Sequence, residues 1–171
     1  AIQAARLGAQ TFATDVCPDS LVLARANATR NGVSLDLREG HLCEPVRDEA
    51  PFDLIVANLP HKPGDASEGL PLGQAGGPEG DRLWEEAHAD LLRMSRPRGR
   101  FHFFLHSLPH PRLLRRVAEG FDLELRSLKR RRLGADEYGP ELRERFRRRA
   151  EEGRSFLAED DEGEFLVAAS W

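Results

Sequence analysis

Apolar and polar positions follow two periods along this chain, and the changes between them lay out an α/β order. Residues 1–7 carry a helical spacing that Gly8 stops. Gln10 to Val16 reads as a strand leading to Asp15. Pro18, at a first helical position beside Asp19 and Ser20, opens a helix with an apolar face of Leu21, Val22, Ala24 and Ala28. Asn31-Gly32 ends that helix, and Ser34 to Arg38 is a short alternating strand. Leu54-Ile55-Val56-Ala57 is a continuous apolar run that stops at Asn58-Leu59-Pro60-His61, which predicts a fully buried parallel strand over 53–57. Residues 59–80 are rich in Gly and Pro and predict an irregular loop. A helix over Asp81–Met94, a turn at Pro97-Arg98-Gly99, a strand over Phe101–Leu108 and a helix over Pro111–Glu119 follow. Phe121–Leu128 and Glu164–Trp171 read as strands that need no crossover helix and so fold antiparallel. Between them lies a charged insertion, residues 134–162, helical around Pro140 to Glu152.

Length changes this picture little: 171 residues suit one domain, 1–171, with a true core. Charged residues make up 32% and the formal net charge is −4. No apolar run approaches a membrane span and no signal peptide is visible, so a cytoplasmic protein is expected. Cys17 and Cys43 lack metal-ligand spacing and read as reduced packing thiols, with no metal site expected. Arg126 to Arg149 holds ten basic residues against four acidic ones, and 151–164 holds seven acidic residues against one Arg. A basic patch facing RNA is one reading. No aromatic residues interleave the arginines, which favours charges that pair with each other.

Candidate chemistry concentrates at Asn58–His61. In open α/β sheets, ligands bind beyond the carboxyl ends of strands. An Asn amide oxygen and the Leu59 carbonyl can each accept a hydrogen bond from a planar –NH2 group, and a flat ring at His61 can stack on that group. Such an arrangement suits transfer of a small group onto an amide or amine nitrogen. Asp15, at a strand end, can accept hydrogen bonds from ribose hydroxyls, or it can cap the helix at Pro18.

Asn58-Leu59-Pro60-His61 resembles the Asn/Asp-Pro-Pro-Tyr/Phe signature of class I S-adenosylmethionine-dependent methyltransferases, with Leu59 for a Pro and His61 for the aromatic residue. The wider chain is similar to the branch that holds the glutamine-N5 methyltransferases of release factors and the small-domain rRNA guanine methyltransferases. Thr14 to Leu21 matches the acidic strand end, Asn27 to Gly32 the Asn-rich helix terminus, Gly40-His41-Leu42 a Gly-Asp-Leu element, and Gly76-Gly77-Pro78-Glu79-Gly80 a Gly-Gly-x-x-Gly loop. The resemblance implies a Rossmann-like, mainly parallel sheet finished by an antiparallel hairpin. It implies S-adenosylmethionine as cofactor, held by Asp15, Val16, His41, Leu42 and Asn58, with Asn58, Leu59, Pro60 and His61 at the reacting end. The family's Asp-x-Gly-x-Gly turn is not among these residues, so the expectation is an N-terminally incomplete domain without its first strand, inactive alone.

Three functions follow from the resemblance. The first is an N-methyltransferase acting on a protein glutamine amide, with a release-factor-like protein as partner. The second is a methyltransferase for exocyclic amines of RNA or DNA. The third is a non-catalytic domain that keeps the fold for binding.

Overall fold

The computed structural model describes residues 1–134 and 137–171; Ala135 and Asp136, the latter one of the acidic residues counted above, lie outside the described residues. The chain forms two compact units, Ala1–Phe52 and Asp53–Trp171.

In the first unit, helix α1 (Ile2–Arg6) precedes strand β1 (Phe12–Asp15), helix α2 (Pro18–Arg30) and strand β2 (Asp36–Glu39), and a 3-10 turn follows at Glu44–Glu49. β1 and β2 pair in parallel, with Phe12 opposite Asp36 and Asp15 opposite Glu39. Parallel neighbours need a crossover, and α2 supplies it. Its ends are those the sequence marks: Pro18 in the first turn, Asn31 at the C-cap and Gly32 at φ +65°. The inward face is narrower than expected. Leu21, Ala24 and Ala28 turn in, whereas Val22 is exposed, because 22 lies about 100° around the helix from 21. Phe12 packs on Phe52 at 5.8 Å between ring centroids, and the Arg38 guanidinium lies 5.2 Å over the Phe12 ring.

The second unit is built on a sheet ordered β3 (Phe52–Ala57), β4 (Ser95–His106), β7 (Gly163–Ser170), β5 (Ser127–Arg132), with β6 (Ala158–Asp160) also paired to β7. Helices α3 (Arg82–Met94), α4 (Arg112–Ala118) and α5 (Pro140–Glu151) connect these strands. The last strand in the chain enters between β4 and β5 and runs antiparallel to both, so the expected antiparallel pair of late strands is present. Its first member is displaced, however: β5 begins at Ser127, where Ser127–Arg132 pairs residue for residue with Ser170–Phe165. β4 runs back through the expected turn to Ser95, and β6 lies inside the insertion.

β3 is less buried than a continuous apolar run predicts. Leu54 and Val56, two residues apart and so on one face of the strand, are exposed. Behind β4, Phe103 packs between Trp84 and Trp171 at centroid distances of 5.7 and 5.1 Å. A second core joins Leu70, Ala75, Leu108 and Leu166 to Leu133, Tyr138, Leu142 and Phe146. Leu142 and Phe146 are spaced i, i+4 and share one helix face, which seats the insertion in the core. About 100° around the same helix, Arg143 and Arg147 hold the buried carboxylate of Glu164 at 3.2 and 2.6 Å. We expect Phe146→Ala, which empties a fully buried ring site, to cost about 3–5 kcal/mol in denaturant unfolding.

Candidate functional site

Asn58 is the first residue past β3. Its side chain is exposed rather than buried as a strand-end Asn in a core would be. Leu59 and Pro60 are half-buried, and His61 retains only 6% exposure. The His61 ring has two partners that fix its tautomer. Nδ1–H donates to the Leu59 carbonyl at 2.5 Å, and Nε2 accepts from the His106 backbone N–H at 3.2 Å. The ring also lies 4.2 Å from His106 and edge-on to Phe104 at 5.9 Å. These contacts leave no open ring face for stacking on a ligand, so the stacking expected of His61 is not available in this arrangement. Burial pushes the imidazole pKa down to about 4, against the opposing pull of the Leu59 carbonyl and with help from the Lys62 charge.

The loop beyond His61 folds back on itself. Lys62 N–H donates to the Gln74 carbonyl (2.9 Å), Gly76 N–H to the Lys62 carbonyl (2.8 Å), and Gly64 and Gly77 exchange bonds at 2.7 and 3.2 Å. Two glycines of the Gly-Gly-x-x-Gly loop touch His61 backbone directly. A Cβ on Gly76 would stand 2.7 Å from His61 Cα, and one on Gly80, which has φ +77°, 2.6 Å from the His61 carbonyl oxygen. Glycine is required at both positions by contact, and at 80 by conformation as well.

Lys62 turns inward. It is buried, donates to Gln74 Oε1 at 2.6 Å and to the Tyr138 hydroxyl, and lies 4.5 Å over the Tyr138 ring. Burial lowers its pKa and raises that of Tyr138. The insertion also grips the loop through Arg145, which donates to the Pro63 carbonyl at 2.6 Å and pairs with Glu68. Arg149 reaches the Pro78 carbonyl (3.1 Å) and Glu79 (2.9 Å), and Arg154 pairs with Glu79 as well. Burial pushes the Glu79 carboxyl up, but hydrogen bonds from these two guanidinium groups prevail and hold it at about 2.

The charges of 126–149 are mostly consumed in this way. Arg126, Arg130, Arg131, Arg132, Arg143, Arg145, Arg147 and Arg149 all have carboxylate partners. Self-pairing, the reading favoured by the missing aromatics, describes this stretch.

In the first unit, Asp15, His41 and Leu42 come together at one end of the β1–β2 pair. Gly40 N–H donates to the Asp15 carbonyl (3.1 Å), and the Thr14 hydroxyl to the Leu42 carbonyl (2.7 Å). Asp15 is half-buried, and its Oδ1 accepts from Cys17 N–H at 2.8 Å in a local turn; it does not cap α2, whose N-cap is Cys17, without a side-chain cap hydrogen bond. The Asp15 carboxylate still has lone pairs for a diol. Val16 and His41 are exposed, and Leu42 takes φ +49°. Sequence reasoning missed Gln74, His106 and Tyr138. They lie 12, 45 and 76 residues from their partners, and no local pattern marks them.

A parallel strand pair with its crossover helix, and a last strand entering antiparallel between β4 and β5, are features of a Rossmann-like α/β fold. Solved structures agree on the fold. The crystal structure of a methyltransferase from Pyrococcus furiosus matches with a TM-score of 0.50 and 17% identity, over 99% of this chain and 66% of that one. The chain is also 44% identical over 55 residues to the release factor glutamine methyltransferase of Geobacter sulfurreducens, a match covering 32% of this chain and 19% of the relative. It is 48% identical over 59 residues to the ribosomal protein L11 methyltransferase of Thermus thermophilus, covering 34% and 23%. The chain thus resembles the class I methyltransferase branch of these two enzymes, and the matches span about a fifth of the relatives' lengths. No family model matches it.

Two outcomes follow from the loop geometry. Gly80→Ala should lower stability more than Gly69→Ala, by about 1–2 kcal/mol in chemical unfolding. Both glycines have positive φ, at a cost of about 1 kcal/mol for Ala, but only Gly80 adds a backbone clash. For His61, the folded pKa is depressed, so its contribution is present above pH 6.5 and is lost as pH falls toward about 4. At about 1.4 kcal/mol per pKa unit the loss is on the order of 3 kcal/mol, and buried His106 adds in the same direction. A His61→Gln variant should show a shallower fall in unfolding free energy across that window.

Proposed function

We propose that this chain belongs to an enzyme that methylates a nitrogen, with a protein glutamine side-chain amide as acceptor and S-adenosylmethionine as donor. One observation carries the reading: an exposed Asn58 amide stands at the end of β3, directly followed by a Leu59 carbonyl anchored by His61. Asn58 Oδ1 and the Leu59 oxygen, whose second lone pair remains for an acceptor, can each take one hydrogen of a target –NH2. Held so, the nitrogen presents its lone pair in a fixed direction, and catalysis comes from positioning and polarisation. The likeness to enzymes named for release-factor glutamine and for ribosomal protein L11 supports a protein acceptor.

For the cofactor, the donor set in the first unit fits ribose and base: a half-buried carboxylate at Asp15, the exposed apolar Val16, and His41 and Leu42 at the same strand ends. When bound, the cofactor supplies a methyl group on a positively charged sulfur. The nucleic-acid reading is supported less, since most arginines of the 126–149 stretch already meet carboxylates. None of the helices described is long and apolar enough to cross a membrane.

Asn58→Ala should lower turnover by on the order of 100- to 1,000-fold, with cofactor affinity unchanged within a few-fold. The measurement is transfer of labelled methyl groups from S-adenosylmethionine to proteins of a cell extract. Full turnover in that variant would remove Asn58 from the reaction, and label appearing only in RNA would replace the acceptor.

A further inference from the structure

The signature's fourth residue does something other than stack. Along β4, the amides of Phe103 and Ser107 bond to Trp171 and Val167 on the β7 side. Because strand amides alternate in direction, the His106 N–H points to the other edge, toward β3. β3 has ended by then, at Ala57. The partner of that N–H is a side chain, as His61 Nε2 accepts it at 3.2 Å. Through its other nitrogen the same ring donates to the carbonyl two residues before it, Leu59, at 2.5 Å. One neutral imidazole therefore ties the turn after β3 to the sheet. It can do so only as the Nδ1–H tautomer, with one nitrogen donating and the other accepting. Gly76 and Gly80 close over its backbone, and Phe104 and His106 hold the ring, so it has no room to swing away.

We propose that His61 is a positioning residue for the orientation of the acceptor nitrogen in the transfer step: it sets the direction of the Leu59 carbonyl, and with it the Asn58 amide, by bridging that carbonyl to the β4 ladder. This rests on the methyl-transfer reading above. Phe at this position keeps the ring and its burial but leaves the Leu59 carbonyl and the His106 N–H without these partners. His61→Gln keeps an acceptor near the Nε2 position, and His61→Asn a donor near Nδ1.

The test compares the purified full-length wild-type protein with its Phe, Gln and Asn variants at 61 in methyl transfer. It adds NMR of the His61 ring nitrogens, the Leu59 carbonyl carbon and the His106 amide. We expect His61→Phe to lose about 10- to 100-fold in kcat, with acceptor KM and cofactor Kd within about threefold. Part of that loss should return in Gln or Asn. The wild-type ring should show Nδ1–H at neutral pH, and His61→Phe should shift the Leu59 carbonyl and speed exchange of the His106 amide. Undiminished kcat in His61→Phe, a defect confined to acceptor KM, or an Nε2–H tautomer would each overturn the proposal. A wild-type protein that has the bridge by NMR but transfers no methyl group would instead sink the proposed reaction and leave the bridge standing.

Discussion

A strand that ends beside a site must pass its backbone to a loop without leaving buried N–H and C=O groups unpaired. Past Ala57 this constraint is met by laying residues 62–64 against residues 74–77, so that each segment bonds the other's backbone. Backbones come that close only if no side chain intervenes, which is why glycine occupies 76 and 80, against His61 itself. The turn carrying Asn58 is in this way held by main-chain contacts. A substitution that opens the glycine contact acts on Asn58 without touching it.

The insertion serves the same constraint. Leu142 and Phe146 bury its helix, and the arginines of its other faces reach across to the loop and to β7. Most exposed ion pairs are worth little. Arg149 differs, being 5% exposed and bonded to the Pro78 carbonyl and the Glu79 carboxylate. Removing either charge of such a pair strands the other in a desolvated position. Arg145 and Arg149 thus order the loop, while the arginines of β5 pair with carboxylates outside it.

Much of the order of elements was legible because its causes are local. Pro18 and Asn31-Gly32 bound a helix by their own dihedral limits, and a run such as Leu54–Ala57 can only be a strand or core segment. Asn58 and the glycine loop were legible too, as residue types at fixed spacing. The misreadings had tertiary causes. Phe121–Leu125 is as strand-like as Ser127–Arg132, yet β7 pairs the latter. Leu54 and Val56 read as buried and are exposed, because burial is set by what packs on a strand's faces and not by the strand's own residues.

The chain by itself determined where helices and strands begin and which residue types stand at the β3 terminus, since propensity, capping and turn chemistry act over a few residues. Only the tertiary structure decided that His61 faces inward to bridge Leu59 and His106, that Lys62 is buried against Gln74 and Tyr138, and that the arginines face carboxylates. Those outcomes join residues tens of positions apart. A side chain's partners are set by which backbones pack together, and no short stretch of sequence carries that information.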